Sequence, residues 1–305
     1  MFEELTQKLL KDITTSEKTV FVITGPTGAG KSQLAMDLAK SLGCSIISAD
    51  SRQLFKEIPI GTAAPTEEDR RIVPHYFVSC LSVKDYFSAS MFEEQAISLL
   101  ENKLFDESKI QVVCGGSMMY VDALCKGIDD MPDVPEDIRS MMWKRYEKEG
   151  VEILSQELKL IDPDYYKCID PRNHKRIIHA LEVFLTTGKP FSSFHKNEPT
   201  RRNFHIIKLC VTMQRETLYQ RINKRVDKMM ELGLLDEAKA VYPMKHLNAL
   251  NTVGYKELFD YLDQKTSLQE AIELIKRNSR RYARKQLTWW RRDKEIIHIP
   301  IDEYI

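Results

Sequence analysis

The chain has 305 residues, 43% of them hydrophobic and 30% charged, with 45 Lys+Arg against 45 Asp+Glu. That length allows two domains with a full core, and zero net charge excludes a uniformly basic coat for nucleic acid, so any polyanion must be met by local patches. No apolar run of about 18 residues and no signal-peptide pattern is present, and six cysteines without a C-x-x-C pair and seven histidines without H-E-x-x-H spacing argue for reduced thiols in a cytoplasmic protein, with no zinc site and no membrane association.

The first element is an apolar β-type run, Thr19 to Thr24, followed by Gly25-Pro26-Thr27-Gly28-Ala29-Gly30-Lys31-Ser32 and an amphipathic helix with Leu34, Ala35, Leu38, Ala39 and Leu42 at helical spacing. Strand, G-x-x-x-x-G-K-S and helix in that order make a phosphate-binding loop. The glycines let successive backbone N–H groups face one concavity and the helix N-terminus adds positive potential. Lys31 is suited to terminal phosphate charge, and the Ser32 hydroxyl to ligating Mg²⁺.

Cys44 to Ser48 and His75 to Cys80 read as further strands, and Ser90 with Glu93 reads as a capping box for a helix through about Phe105. The run Ile110 to Cys114 ends in Gly115-Gly116-Ser117. An acidic, proline-containing stretch, Asp129 to Asp137, then marks a boundary, and helical patterns follow over Ile138–Glu149, Val151–Leu160 and Asn173–Thr187. A strand pattern returns at Phe204 to Val211, followed by helices over about 215–241 and 267–291 and a last strand at Glu295–Ile299. The fold expected is α/β. Residues 1–128 and 201–305 form a P-loop NTPase-like core with a mostly parallel sheet flanked by helices, and residues 129–200 form a helical insertion domain.

Asp50 closes the second apolar run, which puts a carboxylate at the sheet edge that carries the phosphate loop. It suits either a magnesium-orienting acid or a general base, and a plain capping aspartate fits the spacing equally well. The run ending at Gly115 lacks the terminal aspartate of a Walker-B strand, so an ATP-using reading has to employ Asp50 instead. From Lys276 to Lys294 nine Lys or Arg residues stand against one acid, with Trp289 and Trp290 among them. A basic stripe with interleaved aromatics suits a phosphate backbone and unstacked bases. Arg221 and Arg225, four apart, share a helical face. A P-loop kinase for a small molecule, using ATP with Asp50 as base, accounts for the first third but leaves the basic helix unexplained. An RNA-binding protein with a vestigial phosphate loop accounts for the reverse.

Taken in order, the phosphate loop, Ile47–Phe55, Ile60–Thr66, Val73–Tyr76, Gly115–Tyr120, Ala180–Val183, Val253–Leu258 and Tyr282–Trp289 resemble the tRNA dimethylallyltransferases over nearly the whole chain. The resemblance implies transfer of a dimethylallyl group from its diphosphate to N6 of the adenosine 3′ of the anticodon, with the phosphate loop holding the leaving diphosphate. It implies Asp50 as the base, Ser117 near the reacting atoms, Lys31 and Arg221 on the diphosphate, and Mg²⁺ at Ser32. It further implies tRNA contacts from Asp50, Ser51, Arg52, Gln53, Ser117, Arg139, Lys175, Arg176, His179, Asn251, Gly254, Tyr255, Lys256, Arg284, Lys285, Gln286, Trp289 and Arg291. The partners implied are the tRNA anticodon stem-loop and dimethylallyl diphosphate, with the enzyme a monomer. Three positions depart from the family pattern: Ser117 replaces a threonine, His179 an arginine, and Arg52 a smaller or apolar residue.

Overall fold

The computed structural model describes residues 17–129, 131–195 and 200–303. The chain divides into two compact units, Met1–Lys126 with Arg201–Ile305, and Gly127–Thr200. In chain order the larger elements are β1 (Thr19–Thr24), α1 (Lys31–Leu42), β2 (Ile46–Ser48), β3 (His75–Tyr76), α2 (Ala89–Leu99), β4 (Ile110–Cys114) and α3 (Met118–Lys126). Next come α4 (Glu136–Ile161) and α5 (His174–Thr187) of the smaller unit. The larger unit resumes with β5 (His205–Thr212), α6 (Arg215–Glu231), α7 (Leu234–Val241), α8 (Tyr255–Leu262), α9 (Leu268–Trp290) and β6 (Ile297–Pro300).

The six strands form one sheet in the order β3-β2-β4-β1-β5-β6, and every pairing is parallel. β1 lies between β4 and β5 and is buried along its whole length, which is why it reads as a continuous apolar run rather than an alternating one. Its alternate residues feed two cores. Phe21 and Ile23 pack with Leu34 and Leu38 of α1 on one face; Val20 and Val22 join the cluster containing Phe92 of α2 and Val121 and Leu124 of α3 on the other. Helix α6 serves both clusters, with Leu218 and Ile222 in the first and Val226 and Met229 in the second. The C-terminal ends of β1, β2 and β4 therefore open on one edge, where open parallel sheets bind ligands.

The smaller unit is a helical pair with its own core of Met142, Leu154, Leu158, Ile177, Leu181 and Phe191. Gly150, at φ 81, breaks the regular conformation within α4, which is the interruption the sequence places between Glu149 and Val151.

Several local expectations are corrected. The strand expected over His75 to Cys80 stops at Tyr76, because Phe77 and Ser79 take left-handed conformations (φ 61 and 48) that no ladder accommodates. Helix α2 is capped by Ser88, whose side chain accepts from the Met91 N–H at 3.1 Å. Glu93 does not close a capping box with Ser90; its carboxylate takes the Arg202 guanidinium at 2.6 Å instead. The pattern over 215–241 is two helices, separated at Gly233 (φ 97). All six cysteines are free, with Cys44 and Cys210 buried and Cys80 and Cys168 exposed. No helix among the described residues is long and apolar enough to cross a membrane.

Candidate active site

Three loops at the C-terminal sheet edge build the site: the phosphate loop after β1, the segment Ala49–Gln53 after β2, and Gly115–Ser117 after β4. Gly28 and Gly30 carry φ of 82 and 98, conformations that favour glycine and that turn the loop into α1. Lys31 at the start of α1 folds back to donate from Nζ to the Pro26 carbonyl at 2.9 Å. Burial pulls its pKa below the ordinary lysine value; Arg225 pushes the same way, while Cys114 and Asp50 oppose it. Ser32 is exposed in the first turn of α1.

Asp50 is fixed by an Asx turn in which its Oδ1 accepts from the Arg52 N–H at 2.9 Å. No hydrogen bond to its Oδ2 is made among the described residues. Ser117 accepts from the Ser51 N–H at 2.8 Å and donates to the Ser51 Oγ at 3.1 Å, so the loops after β2 and β4 are tied directly beside the carboxylate. Ser117 also opens α3, its carbonyl accepting from Val121 N at 3.0 Å. Asp50, Ser51, Arg52, Ser117 and Thr27 line one cleft of about 560 Å³, shared with Arg225, Asn251, Gly254, Lys256, Arg281, Tyr282 and Lys285. Its lining also includes the apolar Ile222, Val226, Met229, Leu234 and Ile275.

Arg225 and Arg52 of the cleft share Asp50 as a nearby carboxylate. Burial lowers the pKa of Arg225 and of Arg52, and in both the charge of Asp50 is the leading opposing influence. Arg225 donates from Nη1 to Thr27 Oγ1 at 3.2 Å, reaching the phosphate loop from α6. Arg221 sits one turn earlier; a Cβ built on Gly30 would lie 3.6 Å from its Nη2. Both arginines of that helical face therefore point at the loop, but Arg225 is the one that lines the cleft. It was visible in the sequence only as the partner of Arg221. Tyr282, a second residue missing from the expected set, places its hydroxyl 3.4 Å from the Gly116 carbonyl, and burial pushes its pKa up to about 12.

The residues expected on tRNA separate into two groups. Asn251, Lys256, Arg284, Lys285 and Arg291 are exposed in the larger unit, and Arg139, Lys175, Arg176 and His179 are exposed in the smaller one. His179 has Nδ1 3.5 Å from the Glu182 carboxylate. Other side chains are used internally. Gln53 accepts from Ser48 Oγ at 2.9 Å and donates to the Ala63 carbonyl at 3.1 Å. Trp289 is half-buried and donates from Nε1 to Asp122 at 2.9 Å.

Tyr255 and Gln286 depart furthest from a surface role. Tyr255 is wholly buried, its hydroxyl donating to Glu237, which also accepts from the N–H groups of Ile60 (2.8 Å) and Gly61 (2.9 Å). Gln286 is 1% exposed and bridges the Thr27 N–H and the Gly116 carbonyl. The expectation that these two side chains face a bound RNA is corrected: both brace the walls of the cleft. Gly254, buried at φ 104, donates its N–H to Glu257 at 2.8 Å.

The sequence profile of the IPP transferase family matches residues 53–293. A tRNA dimethylallyltransferase 2 from Porphyromonas gingivalis is 54% identical over 282 residues, covering 92% of this chain and 94% of its own. A tRNA dimethylallyltransferase 1 from Bacteroides thetaiotaomicron is 54% identical over 278 residues, covering 91% and 90%. Among solved structures, a full-length tRNA isopentenylpyrophosphate transferase from Bacillus halodurans superposes with a TM-score of 0.68 at 35% identity, over 93% of this chain and 90% of that one. A eukaryotic dimethylallyltransferase acting on tRNA gives a TM-score of 0.75 at 29% identity, over 90% and 70%.

Proposed function

The chain belongs to the IPP transferase family, and from that premise we propose that it transfers a dimethylallyl group from dimethylallyl diphosphate to N6 of the adenosine 3′ of the anticodon in tRNA, releasing diphosphate. The observation that carries this is the shared cleft, lined by Thr27 of the phosphate loop, the half-buried Arg225, Asp50 and Ser117. The adenine amine is a weak nucleophile because its lone pair is delocalised, so the electrophile has to be activated. Lys31, Arg225, Arg221 and the loop N–H groups stabilise negative charge as the C–O bond to the diphosphate breaks. N6 then bonds to the allyl carbon, and its proton passes to the free oxygen of Asp50. The apolar wall from Ile222 to Ile275 takes the hydrocarbon. The target base has to leave the loop stack to reach this cleft, and the exposed Lys256, Arg281, Arg284 and Lys285 meet the RNA backbone.

Magnesium fits the donor set in one way. Among the described residues no group of three or more His, Cys, Asp or Glu is placed to hold a metal, so the ion would arrive with the diphosphate and take Ser32 as its protein ligand, in keeping with magnesium's reliance on phosphate oxygens and water. Bound there, it supplies neutralising charge to the departing diphosphate. We further propose that the active species is a monomer working in the cytoplasm.

The deciding experiment incubates the protein, Mg²⁺ and unmodified tRNA with dimethylallyl diphosphate, and in parallel with ATP. Prenylated adenosine in the digested tRNA of the first mixture is the expected result. Phosphate transfer confined to the second would replace this reading with a kinase.

A further inference from the structure

Helix α9 is basic on one face and inserted into the site on another. Tyr282, Gln286 and Trp289, at spacings of four and three, share the inserted face. Tyr282 reaches the Gly116 carbonyl, Gln286 reaches Gly116 and Thr27, and Trp289 reaches Asp122 on α3. Arg277, Arg281, Arg284 and Lys285 make no ion pair among the described residues.

Gln286 is the centre of this arrangement. Its Oε1 accepts from the Thr27 N–H at 2.9 Å, and its Nε2 donates to the Gly116 carbonyl at 2.8 Å. The first group can only donate and the second can only accept, so the bridge needs a side chain offering one acceptor and one donor at fixed separation. A neutral amide meets that need; a carboxylate lacks the donor, and Lys or Arg lacks the acceptor. A Cβ on Gly116 would run into Nε2, so glycine there is required by the bridge itself. With the side chain 1% exposed, losing the first bond leaves the half-buried Thr27 N–H without its side-chain acceptor, and losing the second leaves the Gly116 carbonyl only the longer contact from the Tyr282 hydroxyl at 3.4 Å.

We propose that Gln286 is a positioning residue that sets the distance between the phosphate loop and the Ser117 loop, so that the helix presenting basic side chains to the RNA also holds the diphosphate cradle in register with the reacting atoms. The proposal rests on the transferase reading for its chemistry, but its geometry is testable without it. Gln286 does not contact either substrate. It acts through Thr27 on one loop and through Gly116, the neighbour of Ser117, on the other.

The Thr27 N–H gives a direct readout in the unaltered protein. It lies in a loop and has a side-chain acceptor 259 positions away, so in ligand-free protein it should exchange with solvent far more slowly than an open loop amide. Exchange at the open-loop rate would overturn the bridge. Two variants then test its consequence: Gln286→Met, of similar volume with neither polar end, and Gln286→Glu, of equal length without the donor, assayed at pH 8. Both should lower kcat/KM for dimethylallyl diphosphate by about tenfold to hundredfold, the scale on which small misplacements act, and bind inorganic diphosphate more weakly, while tRNA affinity stays within about twofold. A raised KM for tRNA with unchanged donor kinetics would overturn the proposal and make Gln286 an RNA contact. A lowered melting temperature with wild-type kinetics would overturn it in favour of a merely structural residue. Should the unaltered protein yield no prenylated tRNA, the transferase reading fails, and Thr27 exchange with diphosphate binding still decides the role of Gln286.

Discussion

Replacing Asp50 by asparagine separates the base from the scaffold. The Asx turn uses Oδ1 as an acceptor for the Arg52 N–H, and an asparagine carbonyl oxygen serves that bond as well, so the loop after β2 keeps its shape. What disappears is the second oxygen's capacity to take the N6 proton, together with one negative charge beside Lys31, Arg52 and Arg225. General-base catalysis contributes about 10²–10⁴ in rate, equivalent to about 2.7–5.4 kcal/mol of barrier at ~1.36 kcal/mol per decade. The lost charge works in the opposite direction on the ground state, since the diphosphate no longer faces a carboxylate. The expected outcome in single-turnover prenylation, with tRNA and donor saturating, is a fall of about 10²–10⁴ in the transfer rate, with donor affinity unchanged or tighter. A rate within about threefold of wild type, with the donor bound normally, would refute Asp50 as the proton acceptor.

Arg225→Met keeps the aliphatic packing of α6 but removes a guanidinium that bonds Thr27 and lines the cleft; charge-assisted contacts to phosphate contribute about 1.5–3 kcal/mol, so kcat/KM for the donor should fall by about 10- to 150-fold, and an unchanged value would remove Arg225 from the diphosphate site. Tyr255→Phe deletes one of three donors to Glu237 without touching the surface. Urea unfolding should register a loss of about 1.5–3 kcal/mol with tRNA affinity unaltered, whereas weakened tRNA binding at full stability would return Tyr255 to the RNA interface. Chelating magnesium should abolish or severely slow transfer while tRNA binding persists, and Ser32→Ala should raise the magnesium concentration needed for half-maximal rate. Full activity in excess chelator would exclude the proposed role of the ion.

The parts of the fold legible in the sequence are those whose signal is local. The glycine spacing of the phosphate loop, the unbroken apolar run of β1 and the break at Gly150 each declare themselves within a few residues. Partners far apart in the chain were invisible. Glu93 stands three positions after Ser90, yet its carboxylate belongs to Arg202, 109 residues on. The inserted face of α9 was hidden because its central member is glutamine, a residue usually left in water, surrounded by lysines and arginines that advertise an exposed helix. The same masking applies to Tyr255, which the family resemblance marks as an RNA contact although its hydroxyl is spent on Glu237. Arg225 sits on the face that the Arg221 spacing defines, but spacing alone does not say which of two arginines enters the cleft.

The distribution of unpaired charge explains how a neutral chain can work on two polyanions. Where this protein uses cations for its own architecture, it pairs them: Lys208 bonds Asp293 and Glu295, Lys276 bonds Asp227 and Glu273, and Arg145 bonds Glu149 and Glu157. Around the cleft the pattern reverses. Lys31 and Arg225 are held with lowered pKa, a sign that their charged forms lack full compensation in the free protein. Asp50 alone cannot supply it, because it offsets Arg52 as well. A diphosphate entering the loop brings the missing counter-charge to groups already desolvated and oriented, so little reorganisation remains when the C–O bond breaks. The exposed cations of α9 face solvent, where ions screen them within about 8–10 Å; in the proposed function they would recruit an RNA backbone and contribute little to the chemical step. The half-buried and exposed cations thus divide the work, and Gln286 links them, being on the helix of the second set and hydrogen-bonded to the loop of the first.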